Sequence, residues 1–161
     1  MSFDADAGSA PGAHPADDLL SAVDATLWLA RNLERTQAPL TTSQFRIMRR
    51  VAAGGERAAR LAERLGVRKP TLTAIVDGLV TGGHLLREAD ATDRRAIRLE
   101  LTPKGRKALA ETEELLGARF AELLDDSGRP ADLLALLVDL EDGRIARLNP
   151  PIPSAPQEAT R

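Results

Sequence analysis

Cysteine is missing from the 161-residue chain, which excludes disulfides, thiolate metal sites and thiol-based redox sensing. Histidine is nearly missing. His14 and His84 stand far apart in the sequence, so neither a zinc centre nor a Ser-His-Asp catalytic grouping is expected. No glycine-rich phosphate cradle occurs, and acids such as Glu111, Glu113 and Glu114 fall where the periodicity predicts exposed helix. Neither catalysis nor a cofactor is therefore expected. No apolar run approaches the length of a membrane span, and the opening MSFDADAGSAPGAHPADD is acidic and lacks an apolar h-region. The expected location is cytoplasmic, with no membrane partner.

What is present suits one domain with a sizeable core. The net charge of −2 argues at first against a polyanionic partner, but it conceals a division. From Arg46 to Lys107 the chain carries fifteen Lys and Arg against seven Asp and Glu, whereas the remainder carries seven against seventeen. A basic centre between acidic ends is the electrostatic footprint of a nucleic-acid binder, although a solvated charged surface has the same composition.

Residues 1–14 are small, polar and acidic and are expected to be disordered. Pro15 and Asp17 then open a helix in which Leu19, Leu20, Val23, Leu27 and Ala30 recur at helical spacing beside Trp28, ending near Gln37. In LTTSQFRIMRRVAAGG, Thr41 and Gln44 have capping-box spacing, Phe45, Ile47, Met48 and Val51 form an apolar stripe, and Gly54-Gly55 stop the helix. A short helix carried by Leu61, Ala62 and Leu65 closes at Gly66. Another starts near Lys69-Pro70, where proline suits the first turn. In it Leu72, Ile75, Val76 and Leu79 share one face, and Gly82-Gly83 end it.

Two short helices joined through a glycine turn are a helix-turn-helix pattern. HLLRE and AIRLEL follow as strand-like runs around the polar turn ADATDRR, with Ile97, Leu99 and Leu101 alternating against Arg98 and Glu100. A helix-turn-helix followed at once by a basic-tipped hairpin is a winged helix-turn-helix. Thr102-Pro103 then start a long helix to about Asp126, with Leu109, Leu116, Phe120 and Leu123 on one face. The last helix begins near Pro130, and its DLLALLVDL is apolar on nearly every side. Such a helix needs cover on all sides, and packing against the first helix and a second copy of the chain would supply it. The proline-rich end, 149–161, is expected to be disordered.

The segments LTTSQFRIMRRV, LAERLGVRKPTLTAIVDGL and DRRAIRLELTPKG resemble the MarR family of bacterial transcriptional regulators, over residues 15–148 and most strongly from Leu40 to Gly105. The resemblance implies a mainly α fold with a small β-hairpin: a winged helix-turn-helix domain (about 40–101) with N- and C-terminal dimerisation helices (about 15–37 and 103–148). It implies a homodimer acting as a ligand-responsive repressor on an inverted-repeat operator in double-stranded DNA. With its apolar residues turned inward, the second motif helix presents Arg68, Lys69, Pro70, Thr71, Thr73, Ala74 and Asp77 outward. Its N-terminal residues are the ones nearest base edges in a major groove. The hairpin tip carries Asp93, Arg94 and Arg95, and the resemblance makes Arg95 the minor-groove residue and Asp93 its orienting partner. Arg98 reads as a strand surface charge, and Lys104 and Arg106 as either surface charge or phosphate contacts. Ala74 and Gly78 stand where many family members are basic, which shifts the expected burden to the wing and to phosphates. Family members commonly bind a small anionic or aromatic effector between dimerisation helices and winged domain, and Trp28, Phe45, Arg46 and Arg49 are candidates to line that site. The rival reading is a winged-helix protein-interaction module with no operator of its own.

Overall fold

The computed structural model describes residues 15–54, 58–89 and 97–148. Eight elements follow in order: α1 (Pro15–Glu34), α2 (Thr42–Ala52), α3 (Ala58–Leu65), α4 (Lys69–Thr81), β1 (Leu85–Ala89), β2 (Ile97–Leu101), α5 (Pro103–Asp125) and α6 (Pro130–Leu148). The fold is mainly helical with one antiparallel hairpin, in which Leu85 faces Leu101, Arg87 faces Leu99 and Ala89 faces Ile97. The chain divides into two units between Thr36 and Gln37. In the first, α1 exposes Leu19, Leu20, Val23, Leu27 and Trp28. It stops at Glu34, short of the expected Gln37. Arg35 and Thr36 continue as a turn, donating their N–H groups to the Arg31 and Leu33 carbonyls.

In the second unit the apolar faces of α2, α3, α4 and the hairpin meet in one core. Ile47, Met48, Leu61, Leu79, Leu85 and Leu99 are all but sealed from solvent. Each such side chain contributes about 1.5–3 kcal/mol relative to exposure, which is why helices as short as α3 persist. Local signals set the ends. Thr41 and Gln44 form the capping box on α2, with the Gln44 N–H donating to Thr41 Oγ1 at 3.3 Å and the Thr41 N–H to Gln44 Oε1 at 3.0 Å. Gly66, at φ 64°, makes the corner between α3 and α4, a left-handed conformation that costs a side-chain-bearing residue about 1–2 kcal/mol.

Apolar stripes on four elements, α2, α4, β2 and α6, are less buried than periodicity predicts. Phe45 and Ile75 sit half-buried at the margin of the core. On β2 only Leu99 is sealed, and Ile97, paired with Ala89 at the outer end of the hairpin, is 51% exposed. On α6, Leu133 and Leu137 are half-buried while Leu134, Leu136, Val138 and Leu140 are exposed. Thr102 caps α5, its Oγ1 accepting from the Gly105 N–H at 2.9 Å, with Pro103 in the first turn.

Candidate nucleic-acid interface

The helix α4 is amphipathic in a way that leaves one face free. Leu72, Val76 and Leu79 are buried, and Arg68, Lys69, Pro70, Thr71, Thr73, Ala74 and Asp77 are all exposed. Helical spacing thus gathers the seven on the outward side and its N-terminal end. Arg68 occupies the N-cap, and as a donor-only side chain it makes no cap hydrogen bond. The first N–H groups of α4 therefore carry no side-chain acceptor, the partial positive charge that favours an anion. Thr73 Oγ1 donates back to the Lys69 carbonyl at 3.0 Å, which leaves its methyl as the part free for an outside contact.

The hairpin is tied to this helix by a residue that pattern reading passed over. Arg87 of β1 donates to the Asp77 carboxylate on α4 in an ion pair. The pair offsets the one acid on the outward face of α4 and holds the hairpin base against it. Between them lies an open groove of about 290 Å³, lined by Lys69, Thr73, Val76, Arg87 and Ile97 among others. Arg98 is exposed on β2, as a strand surface charge should be. Asp93, Arg94 and Arg95 lie outside the described residues.

Behind α4, the start of α5 is locked onto the turn Gly82-Gly83-His84. Thr102 Oγ1 donates to the Gly83 carbonyl at 2.7 Å, the Thr102 N–H to the His84 carbonyl at 3.1 Å, and Lys104 Nζ to the Gly82 carbonyl at 2.8 Å. Arg106 Nη1 donates to the Leu101 carbonyl at 2.8 Å. Lys104 and Arg106 thus fasten backbone, a role that composition did not indicate. Gly105 allows the approach: a Cβ there would fall 2.0 Å from the His84 carbonyl oxygen. The His84 Nδ1 is buried without a hydrogen-bond partner. Burial, with the Lys104 charge second, holds the imidazole pKa below its usual range.

On the opposite side of α2, Phe45, Arg46 and Arg49 line an open cavity of about 380 Å³, together with Arg50, Leu65, Glu141, Arg144 and Ile145. Arg49 stands 5.7 Å from the Phe45 ring centroid and pairs with Glu113 of α5 at 3.6 Å. Three of the four residues expected to line an effector site are brought together here. Trp28 stands on α1, in the other unit. Glu141 is held below the usual carboxylate range, first by the hydrogen bonds of Arg144 and then by the charges of Arg144, Arg50 and Arg46, against the opposing effect of burial. No helix among the described residues is long and apolar enough to cross a membrane.

Comparisons with known proteins agree with this geometry. The sequence model of the MarR family matches residues 38–96, which take in α2, α3, α4 and β1. The HTH-type transcriptional regulator FarR of Neisseria gonorrhoeae is 33% identical over 112 residues, covering 66% of this chain and 77% of its own length. The transcriptional regulator BldR of Sulfolobus solfataricus superposes with a TM-score of 0.66 at 27% identity, over 81% of this chain and 99% of its own. The transcriptional repressor CouR, solved bound to a 23-mer DNA duplex, superposes with a TM-score of 0.62 at 30% identity, over 80% of this chain and 92% of its own.

Proposed function

Because the chain belongs to the MarR family and is a transcriptional regulator of that kind, we propose that it represses transcription as a homodimer bound to an inverted-repeat operator in double-stranded DNA. The observation that carries the reading is the exposed face of α4, with Arg68, Lys69, Thr71 and Thr73 gathered around an uncapped helix N-terminus. A helix of this size fits the major groove. There Arg68 and Lys69 can hold phosphate or read guanine, while the threonine methyls can meet thymine methyls. Of Asp93, Arg94 and Arg95 between the two strands, Arg95 is proposed to enter the adjacent minor groove with Asp93 orienting it, since a planar guanidinium suits the narrow, electronegative site. With Ala74 and Gly78 on α4 and Asp77 engaged by Arg87, direct base contacts are few and phosphate contacts carry much of the affinity.

A small acid with an apolar or aromatic body is the proposed effector, held at the cavity of Phe45, Arg46 and Arg49, whose size lies in the range of small-ligand sites. Trp28 belongs to the proposal only through the sequence resemblance. A winged helix used for protein contacts remains the competing reading, since α4 is less basic than a strong reader needs.

Selection of bound fragments from the source genome, followed by footprinting, tests the reading. The expected footprint is two symmetric half-sites about one helical turn apart (roughly 34 Å). Its affinity should fall steeply with salt as phosphate contacts are lost. An asymmetric single site contradicts the dimeric reader, and weak binding without sequence preference favours the interaction module.

A further inference from the structure

Arg144 carries the last helix to the turn of the helix-turn-helix. Arg144 of α6 grips Glu141 with both arms of its guanidinium, Nε and Nη2 each donating to a carboxylate oxygen at 2.6 Å. Its remaining nitrogen, Nη1, donates to the carbonyl of Arg64 in α3 at 3.2 Å. Arg46 of α2 donates to the next carbonyl, that of Leu65, at 3.0 Å. Arg50 stands 4.0 Å from the same Glu141.

We propose that Arg144, oriented by Glu141, is a positioning residue for DNA recognition: it fastens the C-terminus of α3, and with it the origin of α4, to the C-terminal helix. The inference rests on the DNA-binding reading above. An α-helix leaves its last four carbonyls without partners and carries partial negative charge at that end. In α3 the Ala62 carbonyl accepts the Val67 N–H at 3.1 Å, while the Arg64 and Leu65 carbonyls accept guanidinium groups from outside the motif. With eight residues α3 is too short to hold its last turn by itself. Gly66 follows at once, and Lys69 opens α4 three residues later. A frayed end of α3 therefore moves the starting point of the helix that reads DNA. The bonds that Arg144 makes among the described residues go to Glu141 and the Arg64 carbonyl rather than to the outward face of α4, so its effect passes through this turn.

The test compares Arg144→Gln, Arg144→Lys and Glu141→Gln with the wild-type full chain. Operator affinity is measured across a salt series, and amide hydrogen exchange at residues 65–68 is followed without DNA. Arg144→Gln is expected to weaken operator binding about three- to tenfold, the modest loss of a part-exposed charge-assisted bond. Exchange at 65–68 should accelerate while the slope of log affinity against log salt stays unchanged. Arg144→Lys, able to hold one acceptor but not the carboxylate fork, should fall between, as should Glu141→Gln. Unchanged operator affinity overturns the proposal whatever the exchange shows, and a slope reduced by about one makes Arg144 a phosphate contact instead. If the wild-type chain binds no discrete site, the DNA reading fails. Exchange then decides separately whether α6 holds the turn, and unaltered rates at 65–68 overturn that too. Should Arg144→Gln unfold, acceleration would spread to every amide, and Glu141→Gln, which leaves the Arg144 guanidinium in place, carries the comparison.

Discussion

Arg87 and Lys104 illustrate how little residue type alone says about a basic side chain. In a segment with a balance of +8, any of the fifteen cations is a candidate for phosphate. In the folded chain Arg87 is engaged by Asp77, Lys104 by the Gly82 carbonyl, Arg106 by the Leu101 carbonyl and Arg46 by the Leu65 carbonyl. Arg68 and Lys69 are exposed at the free end of α4, where they serve an outside partner better. The wing carries the strongest residue-scale expectation. Arg95→Ala should weaken operator binding by about 1–3 kcal/mol and leave the melting temperature unchanged. A fluorescence anisotropy titration beside a thermal melt would check both, and unchanged affinity would remove the wing from the proposed mechanism. The Thr41–Gln44 box and the Thr102 cap were legible residue by residue, because capping is a local affair of three or four positions. The Arg87–Asp77 pair was not, because its partners stand on different elements and any nearby acid would have served.

At the scale of elements, the junction between α4, β1 and α5 decides how the reading helix is held to the long helix. It is built from close backbone approach, with Gly105 packed on the His84 carbonyl and Thr102 bonded to the carbonyls of Gly83 and His84. Gly105→Ala would set a methyl 2.0 Å from a carbonyl oxygen that belongs to backbone and cannot swing aside. Destabilisation at or above the usual overpacking cost of about 1–3 kcal/mol is expected. Urea denaturation should show a lower midpoint, and an unaltered one would mean that the junction yields freely. All eight elements were legible from apolar period and punctuation, including the order that makes the winged motif. The legible part was the start and type of each element. What escaped was the depth of burial at its margins: Ile97 fits the alternating pattern yet is 51% exposed. A period of two says which face a residue shares, while burial depends on how far the neighbouring helices extend over that face.

For the whole molecule, the telling feature is apolar surface left uncovered on the terminal helices. Leu136 and Leu140 of α6 are 66% and 69% exposed, and Leu115 of α5 and the leucines of α1 are exposed as well. Covering each of several such leucines would contribute about 1.5–3 kcal/mol, which a second copy of the chain can supply in the proposed homodimer. Leu136→Glu, a charge on that surface, should shift the mass measured by light scattering from dimer toward monomer and weaken operator binding with it. A wild-type chain monomeric at all concentrations would remove the homodimer from the proposal. The sequence by itself determined the helices, the hairpin, their order and the outward face of α4, because period, caps and glycine turns act over a few residues. Tertiary structure was needed to settle which of the described cations bond to the fold, and that Arg144 closes on a carbonyl 80 positions away. Those outcomes follow from distances between elements, which no local pattern encodes.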